Sequence, residues 1–349
     1  MPSSGIGFFL TAPGQLERRS IETTPGPDEA TVRVAGCGVC HTDISFYEGA
    51  VDTRHPLPLV LGHEVSGVVE AAGEEHTELV GQQVIVPAMI PCEKCPLCLV
   101  KRDSACHDQV MPGNHIHGGF ASHLVVPAHA LIPVGTDLGG HELAELAVIA
   151  DAVTTPYQAL RRAGVAADDL VVIIGVGGIG TYGLQIATAL DAVTVAVDVD
   201  ATKLEHAKAL GAKMTFDPRE TDGRAIRKRL LRDSGISTHR WRILEMSGTA
   251  AGQETAWALL APAATLGIIG FTMDRPSVRL SNLMALDATA FGSWGCSPRH
   301  YPAVLDLVVS GKVQVRPFVE QVPLERAPEL LAEIHQDGSP ARRPILVPN

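Results

Sequence analysis

Short apolar runs broken by Gly and Pro fill the first third of the chain. The pieces T-V-R-V-A (Thr31 to Ala35), V-S-G-V-V-E, Q-Q-V-I-V-P and S-H-L-V-V-P are rich in β-branched residues and predict an all-β, barrel-like module from Thr31 to about Ala130. Between Leu143 and Arg162 the pattern turns helical. From Asp169 onward apolar runs (L-V-V-I-I, V-T-V-A-V, T-L-G-I-I-G) alternate with helix-like segments such as Thr202 to Leu210, the alternation of βαβ units in a parallel sheet. Past Ala290 the pattern is mixed, with a helix expected over Ala303 to Ser310 and a strand-like P-I-L-V-P near the end. Composition leaves this tail open as a third small unit or a return to the first. There is no internal repeat and no low-complexity tract.

The 349 residues favour two domains, and 46% apolar content allows a sizeable core in each. With 39 acidic and 28 basic residues, the formal charge of −11 repels phosphate backbones and anionic lipid, so neither nucleic acid nor a membrane is an expected partner. The uncharged run Leu170 to Leu190 has the length of a membrane span, but its glycines and its polar Thr181, Tyr182, Gln185 and Thr188 argue against one. No basic residue precedes the apolar patch at the start, so no secretory signal is expected. Seven cysteines, four of them between Cys92 and Cys106, suit metal binding in a reducing compartment, and a cytoplasmic location is expected.

Four stretches carry candidate chemistry. In G-C-G-V-C-H-T-D (Gly36 to Asp43), expected on a turn at a strand end, the C-x-x-C pair reads as redox-active, as a zinc knuckle or as two buried thiols. Cys92, Cys95, Cys98 and Cys106 present four thiolates within one loop, enough to close a tetrahedron around a structural zinc and leave no place for substrate. Gly175, Gly177 and Gly180 form G-x-G-x-x-G after an apolar strand and before a helix. A second strand, Val193 to Val197, ends at Asp198, whose carboxylate suits ribose hydroxyls and repels a 2′-phosphate, favouring NAD over NADP. Asp200 is the rival acidic residue. Gly62-His63-Glu64 adds an imidazole beside a carboxylate.

Taken together, G-V-C-H-T-D, G-H-E, the four-cysteine loop and the glycine fingerprint with Asp198 resemble the zinc-dependent medium-chain alcohol dehydrogenases, in that family's order and spacing. The resemblance implies an α/β protein in which a GroES-like β-barrel catalytic domain (1–153 and 291–349, with the zinc lobe at 92–106) carries an inserted Rossmann doubly wound parallel-sheet domain (154–290). It implies NAD and two zinc ions per chain, one catalytic and one structural. Cys40 and His63 match catalytic-zinc ligands, Glu64 the acidic neighbour of the metal, and Thr42 the hydroxyl that takes the alcohol's proton. Asp43 resembles the carboxylate that orients His63. His41 and Arg343 match contacts to the cofactor diphosphate, and Gly178 and Lys203 join the cofactor set.

This chain departs from the family in two places: Asp151 stands where the third ligand is commonly a cysteine, and Ser45 where many relatives place a proton-passing histidine. Cys37 is then expected to be a buried thiol. A homodimer or homotetramer is implied.

Within the family, Val110 to His123, Asp151 to Leu160, Val278 to Ala285 and Gly292 to Cys296 resemble the 6-hydroxycyclohex-1-ene-1-carbonyl-CoA dehydrogenases, which implies a CoA-thioester substrate. Arg54, His55, Arg299 and His300 are candidate partners for CoA phosphates, whereas His115, His117 and His123 are expected to be loop or pocket histidines. The alternatives on the same fold are a simple alcohol or polyol dehydrogenase and an enoyl reductase that adds hydride to a conjugated double bond.

Overall fold

The structure, a computed structural model, describes residues 3–338 and 340–349. The chain divides into two compact units, one holding the chain up to Thr154 and again from Gly295, the other Thr155–Trp294.

In the first unit the strand Glu29–Gly38 is the hub of a seven-stranded sheet. It pairs antiparallel with Glu64–Ala72, His123–Pro127 and Arg343–Val347. Val32, Val34 and Cys37 on this strand are buried with Leu61, Val65, Phe120, Leu124 and Leu346 in one apolar core. The tail therefore returns to the first unit: Leu346 lies opposite Cys37 and Ile345 opposite Gly38. A smaller sheet joins Gln15–Thr23, Ser3–Ala12 and Leu59–Val60, a hairpin and a short strand that the apolar pattern does not announce.

Two local expectations are corrected here. The strand runs on through Gly36 and Cys37 to Gly38, and the helix His41–Tyr47 follows, so Gly36 to Asp43 is a strand end joined to a helix start rather than a turn. The helical stretch expected from Leu143 to Arg162 is divided into a 3-10 segment, Leu143–Ala150, and the helix Thr154–Arg162. At the break, Asp151 adopts φ −140° and ψ −59°, outside the helical range.

The second unit is a six-stranded, wholly parallel sheet in the spatial order Met214–Phe216, Val193–Val197, Leu170–Ile174, Trp241–Glu245, Thr265–Ile268, Thr289–Gly292. Numbered along the chain, that order is 3-2-1-4-5-6, the doubly wound Rossmann arrangement. Leu170–Ile174 is buried at every position, as a central strand with both faces covered must be, which explains its unbroken apolar run. Strand order reverses between Leu170–Ile174 and Trp241–Glu245, and ligands of such sheets bind beyond the strand ends at that point. Among the described residues, no helix is long and apolar enough to cross a membrane.

Candidate metal centres and cofactor site

The first candidate centre is assembled around Asp43. Cys40 is the N-cap of the helix His41–Tyr47, and its backbone N–H donates to Asp43 Oδ2 at 2.9 Å, so the third helical residue closes the helix start from below. The same carboxylate accepts from Gly62 N at 3.1 Å through Oδ1, which also faces His63 Nδ1 at 3.3 Å. One buried side chain thereby fixes the backbone at both Cys40 and Gly62 and holds Nδ1 of His63 as the protonated nitrogen. Nε2 is left to point away, 3.7 Å from Asp151 Oδ2. Donor atoms of Cys40, His63, Glu64 and Asp151 all lie within 4.8 Å of one another.

This cluster is short of positive charge. Arg343 Nη1 donates to Glu64 Oε1 at 2.5 Å, but Cys40, Asp43, Glu64 and Asp151 crowd a single imidazole. Burial opposes a charge on His63, yet the Asp43 and Asp151 carboxylates outweigh it and hold the ring well above the ordinary histidine range. Burial also pushes the Glu64 carboxyl up to about 7 against the pull of Arg343, with Asp151 adding to the push. Glu64 Oε2 is buried without a hydrogen-bond partner.

A divalent cation fits such a set. For zinc bound to one nitrogen and one oxygen, tetrahedral geometry sets the N···O separation at about 3.4 Å, close to the His63–Asp151 spacing and too long for a direct hydrogen bond. The thiol, imidazole and carboxylate are donors that zinc accepts. Thr42 is half-buried beside the cluster, with Oγ1 3.9 Å from Cys40 Sγ. Cys37 is fully buried on its strand, its thiol pushed well up by burial, and it lies outside the donor set.

The second centre is the four-cysteine loop. Sγ separations are 3.5 Å for Cys95–Cys98, 3.8 Å for Cys95–Cys106 and 3.4 Å for Cys106–Cys92. A regular tetrahedron with Zn–S of about 2.3 Å has edges of about 3.8 Å, so the four sulfurs already approach the shape of a zinc cage. Hydrogen bonding from the Cys98 backbone brings the Cys95 thiol down to about 6, while burial pushes Cys98 up to about 12, as expected when neighbouring sulfurs share protons.

In the second unit the glycine loop takes the form its sequence predicts. Gly175 has φ +82°, and a Cβ on Gly180 would lie 1.8 Å from Gly175 O, so helix Gly180–Ala189 meets the strand only without one. Around Gly177 the space is open, with Lys203 Nζ 4.0 Å from where a Cβ would stand. Asp198, half-buried, accepts from Val176 N at 2.9 Å through Oδ2 and from Asp200 N at 2.9 Å through Oδ1, which ties the acidic strand end to the glycine turn. Asp200 instead caps the helix Ala201–Ala209, accepting from Thr202 N and Lys203 N. That leaves Asp198 as the carboxylate facing the fingerprint.

Other candidates fall elsewhere. His41 is exposed at the first position of its helix. His115 and His117 each accept a backbone N–H through Nδ1, from Met111 and Val60, and His123 sits between Glu70 and Ser122; none of the three enters a metal donor set. Arg299 Nη2 is committed to Asp103 Oδ1 at 2.6 Å, while Arg54 is exposed. Sequence reasoning did not foresee the Arg343–Glu64 pair, whose partners lie 279 positions apart, and no local signal announces it.

Comparison with known proteins gives the class. The alcohol dehydrogenase GroES-like domain matches residues 26–136, and the zinc-binding dehydrogenase domain matches 178–310. An alcohol dehydrogenase of Moraxella sp. (strain TAE123) is 30% identical over 326 residues, covering 92% of each chain. Galactitol 1-phosphate 5-dehydrogenase of Escherichia coli (strain K12) is 31% identical over 274 residues, 76% of each. The crystal structure of galactitol-1-phosphate dehydrogenase from Escherichia coli superposes with a TM-score of 0.88 at 26% identity, over 98% of this chain and 100% of that one. A metal-dependent dehydrogenase is the class that the fold and the two donor sets define, and the chain belongs to the zinc-dependent medium-chain alcohol dehydrogenase family. It is an enzyme with a GroES-like domain, a Rossmann domain and a nicotinamide cofactor.

Proposed function

We propose that this enzyme oxidises a secondary alcohol to a ketone with NAD, and that the alcohol is an alicyclic hydroxy-enoyl-CoA of the 6-hydroxycyclohex-1-ene-1-carbonyl-CoA type. The gathering of Cys40, His63 and Asp151, with Glu64 beside them, carries the alcohol-oxidising reading. When bound, zinc at this set supplies the Lewis acidity that lowers the alcohol's pKa, and NAD supplies the hydride acceptor.

The chain's own residues do the rest. Asp43 holds the His63 ring so that Nε2 is the donor. Thr42 Oγ1 takes the proton the alcohol loses and releases its own. Ser45 Oγ already donates to the His41 carbonyl at 3.2 Å, so onward transfer does not draw on a Ser45 proton. Glu64, with one oxygen on Arg343 and the other buried without a partner, is a reserve ligand during exchange. In the second unit, Lys203 and the three fingerprint glycines with Gly178 would hold the diphosphate and Asp198 would select NAD through the ribose hydroxyls; in the first unit, His41 and Arg343 are its candidate contacts.

The substrate rests on the segments quoted above, and exposed Arg54 is the side chain we assign to a CoA phosphate. The relative named for galactitol 1-phosphate favours a second reading, a polyol or polyol-phosphate dehydrogenase. We also propose self-association through the second unit, whose sheet ends at the edge strand Thr289–Gly292 and which exposes Met273, Leu280 and Met284.

The test measures NADH formation with cyclohexenyl-CoA hydroxy-thioesters, free secondary alcohols and galactitol 1-phosphate, with zinc counted per chain. Two zinc ions and turnover of the thioester are expected. Turnover of free alcohols or the polyol phosphate alone would remove the CoA substrate. One zinc per chain together with hydride addition to the enoyl thioester would replace alcohol oxidation by enoyl reduction.

A further inference from the structure

The third donor of the first centre is anchored through the carbonyl before it as well as through its own, which accepts from Thr154 Oγ1 at 3.4 Å. Asp151 follows Ala150 where the 3-10 segment ends, and its backbone has no helical frame of its own. The Ala150 oxygen accepts from Ala88 N at 3.3 Å, from Thr154 Oγ1 at 3.3 Å and from the phenol of Tyr301. Tyr301 is buried at 1% exposure. The segment that delivers Tyr301 is itself fixed: Ser297 Oγ and Arg299 Nη2 both donate to Asp103, each at 2.6 Å, on the four-cysteine lobe. All of these groups belong to the first unit.

We propose that Tyr301 is a positioning residue for metal binding, acting through the Ala150 carbonyl to set the direction of the Asp151 carboxylate toward His63 and Cys40. Asp151 lies outside any regular element, and three donors on the preceding carbonyl, with Thr154 on its own, restrict its backbone. The energetic logic is that of any group behind a metal ligand: ligand orientation is set one bond further out, and losing it typically costs about 10- to 100-fold in metal affinity. This inference rests on the reading of Asp151 as a ligand.

The experiment compares Tyr301→Phe, Asp151→Asn and the parent enzyme as full-length zinc and cobalt forms. Chelator competition reports the affinity of each of the two metal ions, and the visible spectrum of cobalt at the first centre reports its coordination. Tyr301→Phe is expected to weaken one metal ion by about tenfold and to shift the cobalt bands, while the four-cysteine ion is retained as in the parent. A purely structural role would lower the melting temperature without moving the spectrum.

If Asp151→Asn changes both readouts and Tyr301→Phe changes neither, the positioning role is overturned and the ligand stands. If neither variant changes them, the ligand reading falls and the inference with it. Thr154→Val removes another donor from the same oxygen together with the one on Asp151's own carbonyl, so it gives the same readouts should Tyr301→Phe fail to fold.

Discussion

Replacing Asp198 with Ala tests the cofactor assignment through a ratio. Hydrogen bonds from ribose hydroxyls to a carboxylate are worth about 1.5–3 kcal/mol, so NAD should lose about 10- to 150-fold in kcat/KM. NADP should gain, because a unit charge facing a phosphate at about 4 Å costs up to about 4 kcal/mol at an effective dielectric of 20, and solvent screening around a half-buried group leaves about 1–2 kcal/mol of that. Cations already stand nearby to receive the 2′-phosphate. Arg219 forks onto Asp217 and donates to the carbonyl of Val199, and Lys203 lies over Gly177. The variant also takes away the acceptor of Val176 N–H, loosening the glycine turn; that loss weighs on both cofactors alike and cancels in their ratio. Steady-state kinetics with each cofactor should therefore show the NAD/NADP preference falling by about two to four decades. A change of less than about tenfold in a folded variant would refute the role of Asp198 and return attention to Arg219.

Three further outcomes are expected. Cys106→Ser breaks the sulfur that touches both Cys92 and Cys95, so metal analysis should fall by one ion per chain and limited proteolysis should cut within 92–106. Gly180→Ala forces a Cβ to within 1.8 Å of Gly175 O; helix and strand must separate, and titration should show cofactor affinity reduced with about 1–3 kcal/mol lost in stability. Arg316→Ala tests a pH window: burial pushes Glu145 up, but the two-pronged Arg316 contact outweighs it and holds the carboxyl below its usual value of 4.5. The pair therefore stabilises the fold above that pH and ceases to do so as Glu145 protonates, so melting curves of parent and variant should differ at neutral pH and converge on acidification.

What the sequence disclosed depended on whether the physical cause was local. Leu170–Ile174 is buried on both faces, so an unbroken apolar run is its necessary signature, and Val193–Val197, buried from Thr194 on, is apolar but for that threonine; both were legible to the residue or nearly so. Gln15–Thr23 was not: most of its residues are exposed, and it is a strand because Ser3–Ala12 pairs with it. The four-cysteine loop was readable from residue type and spacing, whereas Cys40, His63 and Asp151 became candidates only through the family resemblance.

How those donors are held was unreadable for the opposite reason. Gly36 and Gly38 read as turn residues, yet they are strand positions where a Cβ would strike Ala144 and Glu64 at 2.9 and 2.2 Å. They are glycines because distant chain packs on them, which no local pattern records. The same holds for Arg343 on Glu64 and Tyr301 on Ala150, contacts spanning 279 and 151 positions. A candidate ligand set written in short motifs is thus held in place by contacts written nowhere in those motifs. Substitutions at Arg343, Asp103 or Tyr301 are the ones whose effect on the metal would surprise a reader of the sequence alone.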